Sequence, residues 1–178
     1  GLCYLDGVGV SKDSQKGVEW IQKSANAHLP EAEFEMGFLL SSGIGVPKNP
    51  TKAVEWYLKA AEKGIPRAFA NLGFCYGDGL GVPRNEIEST YWYRKAAEMG
   101  EFTGMLGTAM RFHYGTGTQK DLTESYKWYL LARTSGVTNA DFAAAQPNGR
   151  SYKDEIENAL AELDTQLSRD QVNDAKQR

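Results

Sequence analysis

Trp20, Trp56, Trp92 and Trp128 stand 36 residues apart and are all four tryptophans of the chain. Other columns keep the same step: Gly7, Gly43, Gly79 and Gly115, then Gly9, Gly45, Gly81 and Gly117, then Tyr4, Leu40, Tyr76 and Phe112. A fixed period of this length marks an array of copied units. Each unit is one supersecondary element that cannot bury its apolar face alone, so neighbours stack into a continuous core and leave a long surface free. Such architectures bind far more often than they catalyse.

At 178 residues and 41% hydrophobic content the chain can bury a sizeable core. The net charge is only −3, and Lys and Arg are spread over all the units, so the basic stripe of a nucleic-acid binder is missing. No apolar run approaches the ~18 residues of a membrane span, and the first residues are not a secretory signal.

The second unit shows how one copy folds. From Pro30 the residues Ala32, Met36, Leu39 and Leu40 have helical spacing, with Pro pre-organised at the first helical position. This helix A stops at Ser41-Ser42-Gly43-Ile44-Gly45-Val46-Pro47, because the glycines reach backbone angles other residues resist and Pro47 cannot continue a helix. Asn49 then caps helix B, which begins at Pro50, carries Val54, Trp56, Tyr57, Ala60 and Ala61, and closes at Gly64. Asn85 with Glu88 and Asp121 with Glu124 have capping-box spacing at later helices B. Gly100 and Gly136 repeat the role of Gly64, whereas His28 stands there in the first copy and predicts a less clean stop. Small residues Ala32, Ala68, Gly104 and Ala140 mark close approach of helix A to its neighbour, and the Trp column with the following Tyr reads as core.

The ends depart from the pattern. Gly1 aligns with Gly37 and Gly73 in mid-helix, so a truncated first unit is expected, with further units or a leader upstream. After the fourth unit, 139–145 predicts a short helix broken at Gln146-Pro147-Asn148-Gly149. Two capping helices follow: one over 151–166 with Ile156, Ala159, Leu160, Leu163 and Leu167 on one side, the next capped by Ser168 with Gln171 in capping-box spacing. The expected domains are 1–144, four repeats, and 145–178, the cap.

Leu72-Gly73-Phe74-Cys75-Tyr76, Gly79-Leu80-Gly81-Val82 and Trp92-Tyr93-Arg94-Lys95-Ala96-Ala97-Glu98-Met99-Gly100 resemble the Sel1-like repeat, the 36-residue relative of the tetratricopeptide repeat. The resemblance covers residues 1 to about 144 and departs most in the fourth copy, where Thr108-Ala109 replaces Leu-Gly. It implies an all-α, right-handed solenoid of helix-turn-helix repeats. The tail Leu167-Ser168-Arg169-Asp170-Gln171 resembles the closing helix of many bacterial members, which implies a bacterial source. Members resemble one another as non-enzymatic adaptors, receptors, secreted or periplasmic host-interaction proteins, and immunity proteins that mask a secreted toxin.

The residues themselves carry no catalytic constellation. His28 and His113 lie in different repeats without a Cys or carboxylate cluster of metal-ligand spacing, and the G-x-G elements precede capped helices with no strand before them, so they read as turns. No metal, cofactor or small-molecule substrate is expected. Cys3 and Cys75 occupy one repeat position two units apart, which at about 8–10 Å per helix layer puts them roughly 16–20 Å apart, beyond the ~7 Å a disulfide spans.

Helix A carries two apolar stripes. Ala32, Met36 and Leu40, with Ala68, Leu72 and Tyr76, form the packing stripe. The second holds Phe34, Phe38 and Ser41, then Ala70, Phe74 and Gly77, then Leu106, Met110 and His113, with Leu2 and Leu5 in the first unit. Alignment of L-G-x-x-Y with the tetratricopeptide pattern places these positions on the concave face, so Phe34, Phe38, Phe74, Leu106 and Met110 are the candidate protein-binding residues. Arg67, Asp78, His113 and Tyr114, with Asp6 and Glu31, are the candidate rim. The competing reading is that the second stripe packs against neighbouring helices A. The expected function is a non-enzymatic binder of another protein in a bacterial periplasm or envelope, immunity toward a secreted effector being one concrete form. The alternative is a regulatory repeat domain of a larger, enzymatic or signalling protein.

Overall fold

The computed structural model describes residues 1–135 and 151–177, and every regular element among them is a helix. These are α1 (Leu2–Asp6), α2 (Ser14–Asn26), α3 (Pro30–Ser42), α4 (Pro50–Glu62), α5 (Pro66–Asp78), α6 (Glu86–Glu98), α7 (Phe102–Tyr114), α8 (Leu122–Thr134), α9 (Tyr152–Gln166) and α10 (Arg169–Gln177). Odd-numbered helices up to α7 are helices A and even-numbered ones up to α8 are helices B. The predicted short helix over 139–145, the break at 146–149, and the roles given to Gly136 and Ala140 lie outside the described residues.

Two compact units divide the chain, Gly1–Asn85 and Glu86–Arg178. In the first, α3 packs on both α2 and α4, and the core is Ile21, Met36, Leu39, Val54, Tyr57 and Leu72. In the second, α7 packs on α6 and α8. Ile156, Leu160 and Leu163 of α9 and Ala175 of α10 complete the cluster around Tyr126, Trp128 and Tyr129, so both tail helices cover α8. The fourth copy's Thr108-Ala109 does not shorten its helix: α7 is 13 residues long, as α5 is.

One hydrogen bond recurs in every copy. The N–H of the residue before helix B donates to the carbonyl of the Tyr4 column: Asp13 to Tyr4 at 2.8 Å, Asn49 to Leu40 at 2.7 Å, Asn85 to Tyr76 at 2.8 Å and Asp121 to Phe112 at 3.0 Å. This closes the turn of each hairpin. At Asp121 it also corrects the expected capping box, because the N–H that a box would give to the carboxylate three residues on is already engaged. Asp121 makes only its own half, accepting from the Thr123 and Glu124 N–H groups at 3.0 Å, while Glu124 pairs with Lys127 at 2.7 Å. Complete boxes occur in the tail, at Ser151 with Asp154 and, as the spacing predicted, at Ser168 with Gln171.

The two glycines of each turn have separate tasks. The first ends helix A in the left-handed region, as Gly43 does at φ 78°. The second also has positive φ and abuts the first turn of the preceding helix B: a Cβ on Gly45 would sit 3.0 Å from the Ser14 carbonyl oxygen. The bare backbone lets consecutive repeats close up.

His28 stops its helix as the glycines do. It holds φ 61°, and Leu29 N–H donates to the Ser24 carbonyl at 3.2 Å just as Ile65 does to Ala60 at 3.1 Å. The ragged end expected there is absent. Lys63 supports the turn, donating to the His28 carbonyl at 2.9 Å and to the fully buried Glu33 carboxylate at 2.6 Å.

The tryptophan column is not the core expected of it. Trp20 is 51% exposed, Trp56 and Trp92 are half-buried, and only Trp128 is buried. The buried aromatics are the next residues, Tyr57, Tyr93 and Tyr129. Adjacent side chains on a helix point about 100° apart, so only one of each pair can face helix A. The Tyr does, because a glycine there leaves room: Gly37 would put a Cβ 2.7 Å from the Tyr57 ring and Gly107 one 2.6 Å from Tyr93. The Trp lies on the flank, covered by a lysine at 4.1 Å (Lys59 over Trp56) and 5.0 Å (Lys23 over Trp20) from the ring centre.

Candidate protein-binding surface

In the first unit the second stripe of helix A divides. Phe34 and Ala70 are buried, while Phe38 and Phe74 are 43% and 50% exposed. Phe34 packs on Tyr57 with ring centroids 5.8 Å apart and is capped by the Arg67 guanidinium at 4.3 Å, itself paired with Glu35 at 3.3 Å. Phe34 is therefore a core residue in place of the surface contact expected, and Arg67 is the exposed lid over it. The packing reading of the stripe holds for this column and the surface reading for the next.

Phe38 and Phe74 border a groove of about 390 Å³. Leu80, Pro50 and Ala53 supply its apolar walls, Tyr57 and Cys75 its floor, Ser41 and Asn71 its polar points, and Lys48 its charge. The Tyr57 and Ser41 hydroxyls hydrogen-bond at 3.2 Å. Burial pushes both the Tyr57 phenol and the Cys75 thiol up, the latter to about 11 with the Asp78 charge adding to it, so the floor is neutral at physiological pH. Asp78 itself is exposed. A ring-lined groove with a neutral floor accepts apolar side chains.

In the second unit Leu106 and His113 are buried, Met110 is 42% exposed and Tyr114 is 68% exposed. Leu106 is part of the α7–α8 core and does not form the surface expected of it. His113 is likewise not a rim residue: its ring packs edge-on to Tyr129 at 6.3 Å and lies 4.6 Å from Tyr114. All four border a pocket of about 250 Å³ between α7, α8 and α9, whose outer wall is Glu155, Asn158 and Glu162.

The structure thus brings Phe38 and Phe74 together in one unit, and Met110, His113 and Tyr114 in the other. Sequence reasoning missed Leu80, Lys48 and Tyr57 around the first groove. Leu80 had a signal: Val8, Ile44 and Leu80, one column between the paired glycines, are all exposed apolar residues. Glu155 and Glu162 had none, since the tail lies outside the period. Among the described residues no three His, Cys, Asp or Glu side chains gather as a metal site requires, and no helix is long and apolar enough to cross a membrane.

Stacked helical hairpins with a ring-lined groove define a helical-repeat interaction scaffold. The Sel1 repeat matches residues 1–29, 30–65, 66–101 and 104–137, and the chain belongs to the Sel1 repeat family. The fold class is the all-α solenoid of helix-turn-helix repeats. A Sel1 repeat protein from Oxalobacter formigenes is similar with a TM-score of 0.73 and 27% identity over 96% of this chain and 71% of that one. A protective antigen present in uropathogenic Escherichia coli strains, displaying an SLR fold, has a TM-score of 0.74 and 29% identity over 98% of this chain. The chain spans 43% of that antigen's length. Cysteine-rich protein B of Helicobacter pylori shares the fold at a TM-score of 0.56 and 22% identity, over 72% of this chain and 92% of that one. No curated protein matches in sequence. Sel1 repeat proteins act generally as protein-interaction scaffolds, typically without enzymatic activity.

Proposed function

We propose that this chain is a non-enzymatic binder that holds a segment of a partner protein along the exposed Phe38–Phe74 groove. The observation that carries the reading is that two large rings stay about half exposed on helices whose neighbouring stripes are buried. Rings left in water on a well-packed scaffold are the anchors a partner covers, and truncating such an anchor costs upwards of ~2 kcal/mol of binding. Asp78, exposed one turn beyond Phe74, is the polar rim, and Met110 with Tyr114 offers exposed contact area in the second unit.

The compartment we assign is a bacterial periplasm or envelope. Its support is the similarity to a protective antigen of uropathogenic Escherichia coli, since an antigen must be met by the host. Immunity toward a secreted effector is the concrete role to test within that assignment. The test is capture of partners on the purified protein, identification by mass spectrometry, and calorimetry with variants. Phe38→Ala with Phe74→Ala is expected to weaken binding more than tenfold, whereas Lys59→Ala with Lys95→Ala on helices B leaves it within about twofold. The reverse pattern would move the partner off the helix A face and sink the reading.

A further inference from the structure

The α7–α8–α9 pocket of the second unit has a composition unlike the first groove. It has Glu155, Glu162 and the Asn158 amide on its outer wall, the rings of Tyr114 and Tyr129 beside them, and no Lys or Arg among the described residues of its lining. The carboxylate charges reach its interior: after burial itself, the charges of Tyr114, Glu155 and Glu162 push the Tyr129 phenol far up. His113 lines the same pocket at 5% exposure. Its Nε2 faces the Glu162 carboxylate at 3.6 Å. Nδ1 is buried and makes no hydrogen bond among the described residues.

The pocket therefore presents two carboxylates and an amide carbonyl, with aromatic faces at its side. A guanidinium carries five N–H donors in a planar fork, no acceptor, and a face that stacks on aromatic rings, so it matches this set where an amide or a carboxylate does not. We propose that the second-unit pocket receives an arginine side chain of the partner protein. This rests on the protein-binding reading above and adds to it the chemistry of one partner residue. The exposed Tyr114 ring stands where a cation–π contact would form, and Met110 offers the apolar edge against which the arginine stem lies.

The probe is an N-acetylated, C-amidated Gly-Ala-Arg-Ala-Gly peptide, titrated into the whole protein while the Met110 methyl and Tyr129 ring resonances are followed by NMR. The counterpart with Gln for Arg serves as control. The Arg peptide is expected to shift both signals saturably, the Gln peptide at least tenfold more weakly, and the Arg response is expected to fall as salt is raised. Glu155→Gln with Glu162→Gln should weaken the Arg peptide at least tenfold. Should the double variant fail to fold, Glu162→Gln alone, at an exposed position, is read the same way with a threefold loss expected. Equal responses to the Arg and Gln peptides, or an Arg response unchanged in the Glu variants, overturn the proposal. If the peptides fail while a protein partner still depends on Phe38 and Phe74, the arginine pocket is wrong and the groove reading stands. If the peptides bind as expected while no partner depends on the two rings, the groove reading falls and the pocket stands.

Discussion

Replacing Tyr57 by Ala removes a ring that packs on Phe34, fills the space left by Gly37 and hydrogen-bonds Ser41. The expected loss is about 3–5 kcal/mol, that of a large buried aromatic. Trp20→Ala, at a position 51% exposed, should cost less than ~1 kcal/mol. Urea unfolding of the two variants checks the order, and equal losses would return the tryptophan column to the core. The cysteines separate on the same principle. Cys75 is buried with its thiol pushed up to about 11, whereas Cys3 is exposed. The thiolate is the reactive form, so at pH 8 iodoacetamide should label Cys3 and reach Cys75 only as the fold opens or as the pH approaches 11. Peptide mapping after a timed reaction decides it. Matched rates would mean that Cys75 is not buried as described. The Trp, Tyr and Gly columns were all legible in the period, but which aromatic of each pair lies inside was not, because that depends on where the opposing helix leaves room.

Helix boundaries followed local chemistry closely: Pro30, Pro50 and Pro66 each start a 13-residue helix, and Asn49 accepts the Lys52 N–H at 3.0 Å as a cap should. Helix ends offer one sharp test. His28 holds a left-handed backbone that costs a side-chain-bearing residue about 1–2 kcal/mol. His28→Gly should therefore stabilise the protein, by up to about 1 kcal/mol, since the higher entropy of glycine in the unfolded chain offsets part of the relief. Glu33 keeps its Lys63 partner in that variant, so the loss of His28 Nδ1 at 3.5 Å from the carboxylate is tolerated. A lower urea midpoint for His28→Gly would show that the imidazole matters more to Glu33 than the backbone strain does. The capping box at Asp121 misled because spacing along one helix cannot show that the N-cap amide is claimed by a carbonyl nine residues earlier, on helix A.

For the molecule as a whole, Phe38→Ala with Phe74→Ala is expected to leave the denaturation midpoint within about 1 kcal/mol of the original, since both rings are half in water. A large drop would place them in the core and remove the groove. The period alone determined the all-α repeat class, the helix pairs, the turn glycines and the column that holds Phe38, Phe74 and Met110, because each of these is set within one copy and repeated at a fixed step. The exposed and buried members of the second stripe could not be told apart at that level: Phe34 and Phe38 are both apolar, and only the Arg67 lid and the Tyr57 ring put the first inside. The acidic pocket beside His113 was further out of reach. Its carboxylates come from α9, some 40 residues along the chain and outside the period, and helix packing alone brings them to α7. A repeat repeats its own contacts, whereas a tail meets the array at one place only, and that meeting is decided by which faces remain to be buried.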